Sequence, residues 1–272
     1  MKPHLGVSNL AWPAHADTAV MPCLPTCGVE GIEVAPTRIA PWEDLTTTLA
    51  RRFRQDCKAH GLVVPSMQAI FYARPDLQLL GNAQAFSDMC KHMYHLAQIA
   101  EALGATVAVF GAPKNRLRGA LTQSQAMELA AERLSVLGDI AAAGGLVLGM
   151  EPVPGIYGGD FLQRAEDVIE LVHSINNPHV QVHLDTACIT LAGDSPRDAI
   201  QSSRQTLIHY HVSEPNLSNF DSPFCSHDSA GRALKEIKYS RWIVIEMLDK
   251  GEFMIDFLRN SINFVQNNYI HI

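Results

Sequence analysis

The fold of this chain is decided by residues 85–113, AFSDMCKHMYHLAQIAEALGATVAVFGAP, where a helical pattern runs directly into a strand pattern. Apolar residues recur at the three- and four-residue steps of one helix face, at Met89, Met93, Leu96, Ala100 and Leu103. Gly104 follows, and glycine is the residue that most often ends a helix. The stretch therefore predicts an amphipathic helix joined through one glycine to a short buried strand.

The same transition from helix through glycine to strand recurs at residues 57–67 and 141–152. Eight β-rich runs alternate with helical segments: HLGVSNL, GVEGIEVAP, LVVPSMQAIFY, ATVAVFGAP, LVLGMEPVP, VQVHLDTA, LIHYHVSEP and WIVIEML. Alternation predicts a parallel sheet, and eight strands close into a barrel. We predict an α/β fold, a (β/α)8 TIM barrel forming a single domain over residues 1–272. An open doubly wound sheet is the alternative, slightly weakened because no GxGxxG motif follows the first run.

Composition restricts the classes of partner. The 272 residues are 47% hydrophobic and 18% charged, which suits one domain with a large core. A formal charge of -7, with no dense run of Lys or Arg, argues against nucleic acid. No apolar stretch approaches the ~18 residues of a membrane span, and MKPHLGVSNLAWP lacks a signal-peptide pattern. We predict a cytoplasmic protein without a membrane partner, whose six scattered cysteines are free thiols.

Polar residues stand at the ends of the last four runs. The run TLIHYHVSEP, residues 206–215, alternates its histidines with apolar residues, so that His209 and His211 share one face of a strand. The corresponding residues of the other three runs are Glu151, Asp185 and Glu246. Each follows the previous one by about one βα unit, and the carboxyl ends of barrel strands meet at the active-site face. We expect the four side chains to converge.

This set of three carboxylates and one imidazole predicts a divalent metal site. Hard oxygen donors with one nitrogen suit Mn²⁺, Mg²⁺ or Co²⁺ better than a thiolate zinc centre does, with Zn²⁺ as an alternative. Buried carboxylates without a cation would also repel one another. The predicted ligands are Glu151, Asp185, His211 and Glu246.

At these residues the chain resembles the xylose-isomerase-like superfamily of sugar isomerases and epimerases, over nearly its whole length. The motifs that carry the resemblance are EPVP, HLDT, HVSE and IEM, which match the metal-binding residues of ketose 3-epimerases. The resemblance implies that Glu151 and Glu246 are also the catalytic pair that exchanges a proton beside the substrate carbonyl. Two carboxylates on either side of a ligand suit that chemistry, since the cation can stabilise an enediolate.

The chain departs from the sugar-epimerase pattern at two recognition positions. Those enzymes resemble the pattern HLDTxH, and this chain has Cys188 in place of the last histidine of that pattern. They also carry an arginine six residues after the metal-binding histidine, where this chain has Leu217. A sugar-contacting glutamate after the fifth strand is also missing, because the sequence there is GIYGGDF around Gly158.

Other polar residues are predicted to bind substrate. After the fourth run, Lys114, Asn115 and Arg116 would contact an anion or hydroxyl groups, with a solvated loop as the alternative. His227 reaches the site from a loop or caps a helix. The remaining candidates lie near the predicted barrel mouth: Glu33, Gln68, Glu214 and His183. His183 either orients a ligand or is a core histidine.

Together these features predict a metal-dependent isomerase or epimerase of a sugar or sugar derivative, with a small carbohydrate as its partner. The sequence leaves a homo-oligomer open. A lyase or dehydratase acting on a keto sugar or keto-inositol would use the same residues. A second and less favoured alternative is an endonuclease-IV-like phosphodiesterase, which needs more histidine ligands at the strand ends and a basic groove for DNA. A sugar-binding protein without catalysis is the third alternative.

Overall fold

The structure, a computed structural model, describes residues 2–248, 251 and 254–271, and eight parallel strands of that part of the chain form a nearly closed barrel. Their bounds are β1 His4–Ser8, β2 Gly31–Glu33, β3 Ser66–Met67, β4 Val107–Phe110, β5 Val147–Met150, β6 Val180–Asp185, β7 Leu207–Val212 and β8 Trp242–Ile245. The hydrogen-bonded order is β2-β1-β8-β7-β6-β5-β4-β3, and isolated bridges from Gly31 to Val63 and from Val34 to Met67 link its two ends. The predicted TIM barrel is confirmed.

Helices alternate with these strands and cover the outside of the barrel. Their bounds are α1 Asp17–Val20, α2 Thr47–Ala59, α3 Ala83–Leu103, α4 Gln123–Ala143, α5 Ala165–Ile175, α6 Thr186–Leu191, α7 Pro196–Ser202, α8 His227–Glu236 and α9 Met254–Val265, which continues into a π-helical turn at Gln266–Ile270. No helix among the described residues is both long and apolar enough to span a membrane. All six cysteines are free, as predicted.

The junction of α3 and β4 shows why the opening stretch folds as it does. Asn82 caps the helix by accepting a hydrogen bond from the Ala85 amide at 2.9 Å. The predicted apolar face, including Met89, Met93 and Leu96, is buried, and each such side chain contributes about 1.5–3 kcal/mol. Gly104 ends the helix at φ 81°, a left-handed conformation that residues with a Cβ rarely adopt. The chain is thereby turned back into the sheet.

Candidate active site

Four side chains meet where β5, β6, β7 and β8 end, because these strands are consecutive neighbours in the sheet. Glu151 follows β5, Asp185 ends β6, His211 lies in β7 and Glu246 follows β8. One ligand atom each of Glu151, Asp185 and His211 lies within 4.8 Å of the others. Oε2 of Glu246 is 3.4 Å from Nδ1 of His211. The structure therefore brings together the four residues that the strand-end pattern selected.

The Glu151 carboxylate depends on a glycine across the sheet. A Cβ at Gly111, which follows β4, would lie 1.7 Å from Oε2 of Glu151, so any other residue there would displace the carboxylate. Gly111 was not among the predicted site residues. Its position directly after a barrel strand could have identified it, but the strand-end rule selects polar side chains and glycine has none.

Local hydrogen bonds fix the orientation of Asp185. This residue is the N-cap of α6, and its Oδ1 accepts the Cys188 amide hydrogen at 2.7 Å. Its Oδ2 accepts a hydrogen bond from the Ser213 hydroxyl. Asp185 is therefore held by the start of its own helix and by the loop after β7, and it has little freedom to turn away from the site.

A cavity of about 580 Å³ opens above these groups, within the ~300–1,000 Å³ typical of small-molecule sites. Glu151, His211 and Glu246 line its floor. Residues 68–75 after β3 and residues 111–115 after β4 form most of its wall, which is largely apolar. A small molecule in this cavity would contact the carboxylates at its floor.

Burial and mutual repulsion disfavour ionisation of the Glu151 and Asp185 carboxyl groups. Burial, followed by repulsion from Asp185 and Glu246, raises the pKa of Glu151 well above its ordinary value. Burial, followed by repulsion from Glu246, raises the pKa of Asp185 to about 6. A site that concentrates negative charge in this way favours a bound cation.

Beneath the floor, Glu33 links two histidines across the barrel interior. Its Oε2 lies 2.8 Å from Nε2 of His209, and its Oε1 lies 2.8 Å from Nε2 of His211. Burial opposes ionisation of Glu33, but the two imidazoles outweigh it and hold its pKa well below the usual range. Burial also opposes a charged His211, yet Glu33 and Glu246 raise the pKa of this imidazole well above its ordinary value. The barrel centre therefore holds an ionised carboxylate.

Gln68 connects this interior network to the cavity floor. With its amide oriented to satisfy its neighbours, the nitrogen donates to Glu33 Oε1 at 2.8 Å and to Glu246 Oε1 at 2.9 Å. Its oxygen accepts a hydrogen bond from the Ser8 hydroxyl at 2.6 Å. Ser8 was not predicted, although it ends β1 and the strand-end rule applied to the first strand would have found it.

The three residues after β4 have different surroundings. Lys114 is exposed and lines the cavity. Asn115 also lines it, but its amide donates to the Arg74 and Leu77 carbonyls, each at 2.7 Å. Arg116 differs from the expected substrate-facing cation, because its guanidinium is fully buried and donates to the Phe110 and Glu151 carbonyls at 3.2 and 2.6 Å.

These contacts predict a supporting role for Arg116. Arg116→Ala is expected to lower the free energy of unfolding by about 3 kcal/mol, since two buried carbonyls lose a charged donor and a cavity forms. Chemical denaturation measures this, with Arg118→Ala in the same loop as the matched control. Equal midpoints for the two variants would show that the buried guanidinium contributes no stability.

Glu214 and His227 are engaged with each other. Oε1 of Glu214 lies 2.6 Å from Nε2 of His227, and the Glu214 carboxylate accepts the Phe224 and Cys225 amide hydrogens. Nδ1 of His227 is 2.6 Å from the Tyr269 hydroxyl. The pair thus ties the loop after β7 to the start of α8 and to the end of the chain.

A family model described as a xylose isomerase-like TIM barrel matches residues 24–264, and the chain belongs to this family. A segment of 101 residues is 33% identical to D-psicose 3-epimerase from Enterocloster bolteae. That segment covers 37% of this chain and 33% of the relative, so the match spans about a third of the relative's length.

Solved structures share the fold over almost the whole chain. The 3-keto-D-glucoside 4-epimerase from E. coli has a TM-score of 0.81 at 16% identity, covering 98% of this chain and 100% of that one. D-Psicose 3-epimerase with D-tagatose from Clostridium cellulolyticum H10 has a TM-score of 0.81 at 14% identity, covering 98% and 99%. A structure of the IOLI protein with a zinc atom has a TM-score of 0.74 at 17% identity, covering 99% of each chain. At these identities the similarity establishes the fold.

Proposed function

We propose that this protein is a divalent-metal-dependent epimerase or isomerase of a keto sugar or sugar derivative. One observation carries the proposal: Glu151, Asp185 and His211 converge within 4.8 Å at the floor of the cavity, and Glu246 lies beside His211. The names of the relatives, which include sugar epimerases and a zinc-containing structure, support the same class. The proposal combines a site that suits a cation with a cavity that suits a small carbohydrate.

The residues present fit a divalent cation. Burial and mutual repulsion raise the pKa values of Glu151 and Asp185. A bound cation would offset the free-energy cost of ionising these two carboxyl groups. Within the described part of the chain, Nδ1 of buried His211 makes no well-formed hydrogen bond. The cation would be held by Glu151, Asp185, His211 and Glu246. When bound, it would polarise the substrate carbonyl and stabilise the negative charge that develops on its oxygen.

The two glutamates are the groups we assign to proton transfer. Both line the cavity, where a carbon beside the substrate carbonyl would lie within their reach. Gln68 donates to one oxygen of Glu246 and so orients that carboxylate before substrate arrives. Arg116 donates to the backbone carbonyl of Glu151 and fixes the main chain from which the second carboxylate extends. One removes the proton and the other returns a proton to the opposite face, which gives epimerisation. Return of the proton to the neighbouring carbon gives isomerisation.

For recognition, we propose contacts different from those of the ketose epimerases that the sequence resembles. Burial and then the charge of Asp185 raise the pKa of the Cys188 thiol well above its ordinary value, so this position offers a neutral group. Leu217 is apolar. Lys114 and Tyr157 line the cavity and remain to contact hydroxyl groups, while Phe71 gives the wall an apolar face.

The proposal is tested by incubating the protein with a panel of ketohexoses, ketopentoses and keto-glycosides in the presence of Mn²⁺ or EDTA. Proton NMR would follow the products. We expect a new epimer or isomer that forms only with the metal. A dehydrated product would instead identify a lyase that uses the same proton abstraction. Conversion that continues unchanged in EDTA would contradict the metal-dependent mechanism.

Metal affinity should depend on pH through the carboxyl ligands. Because the pKa of Asp185 is raised to about 6, only about a tenth of this group is ionised one unit lower. Protons therefore compete with the metal as pH falls, and the raised pKa values of Glu151 and His211 act in the same direction. We expect Mn²⁺ binding at least about tenfold weaker at pH 5 than at pH 7 by calorimetry. An affinity unchanged over that interval would contradict the ligand assignment.

A further inference from the structure

A second group of possible ligands lies one layer below the proposed metal site. In the register of β6 and β7, His183 pairs with His209, and Asp185 pairs with His211. Residues two apart on a strand share a face, so His183 and His209 point into the barrel directly beneath Asp185 and His211. His183 and His209 thus place two more imidazoles in the barrel interior, next to that of His211.

The three rings form a compact cluster. Their centroids lie 5.4 Å apart for His183 and His209, 4.2 Å for His183 and His211, and 5.3 Å for His209 and His211. One nitrogen from each ring lies within 4.8 Å of the others. All three side chains are at most 1% exposed. Glu33, 2.8 Å from both His209 and His211, supplies negative charge at the same place.

Some ring nitrogens of this cluster lack the hydrogen-bond partners that burial demands. Over residues 2–248, 251 and 254–271, neither nitrogen of His183 makes a well-formed hydrogen bond, and the same is true of Nδ1 of His209. An unpartnered buried polar group costs about 1–3 kcal/mol, and an apolar side chain would fill this space without that cost.

We propose that His183, His209 and His211, together with the Glu33 carboxylate, form a second divalent cation site in the barrel interior. Imidazole donors favour Zn²⁺, whereas the carboxylate-rich site above favours Mn²⁺ or Mg²⁺. His211 can serve both sites as an imidazolate, once both of its ring nitrogens have released their protons to solvent, because its Nδ1 lies 3.4 Å from Glu246 and its Nε2 lies 2.8 Å from Glu33. An ion can enter past Glu151, which lines the cavity and has its Oε1 3.6 Å from Nε2 of His183.

Zinc titration of the metal-free full-length protein tests this inference, with bound zinc measured by elemental analysis after gel filtration. The wild type should retain about two equivalents, and His183→Leu about one, because it loses only the interior site. Asp185→Asn should keep the interior equivalent, and His211→Ala should lose both. His95→Leu is the matched control for removing an imidazole from the chain, and it should bind as the wild type does.

Folding is checked separately, since a variant that unfolds would also lose metal. His183→Phe keeps a planar ring of similar size, and both His183 variants should melt at or above the wild-type temperature without metal, because no hydrogen bond is lost. One equivalent in the wild type, or equal zinc content in the wild type and the folded His183 variants, would overturn the interior site. The proposed epimerase would survive that result if Mn²⁺-dependent turnover persisted, so the two proposals fail separately.

Discussion

Replacing Glu246 with glutamine is expected to lower turnover by at least about a hundredfold while the barrel stays folded. The amide keeps the size of the side chain and an oxygen for the cation, but it cannot accept a proton at neutral pH. The contact with Gln68 can persist, because the glutamine oxygen also accepts a hydrogen bond. The loss would therefore report the missing base, provided that metal is saturating.

Turnover should be measured with the substrate found in the panel, together with solvent deuterium uptake from each epimer. Glu151→Gln is the companion variant, and a two-base epimerase would retain exchange in a different epimer for each variant. Glu30→Gln, an exposed position paired with His4, is the control for a single carboxylate change. Native rates in both active-site variants would place the proton-transfer groups elsewhere.

Asp185→Asn is expected to weaken Mn²⁺ binding by at least about a hundredfold. Loss of a residue that only hydrogen-bonds to a metal ligand weakens binding by up to about a hundredfold, and loss of a ligand itself should cost at least as much. The substitution removes one negative charge from among three carboxylates but keeps the shape of the side chain. Cys188 and Ser213 can still pair with the remaining oxygen or adjust to the amide. Secondary structure and the melting temperature of the metal-free protein should change little.

Calorimetry with Mn²⁺ measures this loss, and Asp160→Asn provides the control. Asp160 accepts the amide hydrogens of Arg118 and Gly119 in the loop after β4, so the control removes the same charge outside the ligand set. Undiminished affinity in Asp185→Asn, or an equal loss in the control, would contradict the assignment of Asp185 as a ligand.

The fold could be predicted because each strand and helix leaves a local pattern. The apolar spacing from Met89 to Leu103, and Gly104 after it, encode one βα unit without reference to the rest of the chain. The eight strand runs then constrain the topology, since parallel strands need helical crossovers. The convergence of Glu151, Asp185, His211 and Glu246 follows from the same topology, because strand ends meet at one face.

The surroundings of the other candidates could not be predicted, because they depend on how far side chains reach between strands. Arg116 follows β4 in a loop that could equally face solvent, yet its guanidinium lies under Glu151. Glu33 reaches across the barrel to His209 and His211, residues more than 170 positions away. Strand periodicity indicates which side chains point inward, but it does not indicate which of them will meet.

The central claim is that this site removes a proton from carbon beside a carbonyl with the help of a divalent cation. The most direct test is incubation of the Mn²⁺-loaded protein with keto sugars in deuterium oxide, with EDTA-treated protein alongside. We predict deuterium at the carbon next to the carbonyl, its uptake abolished by EDTA and restored by Mn²⁺. Epimer formation without solvent deuterium in the product, or uptake unchanged by EDTA, would contradict the account.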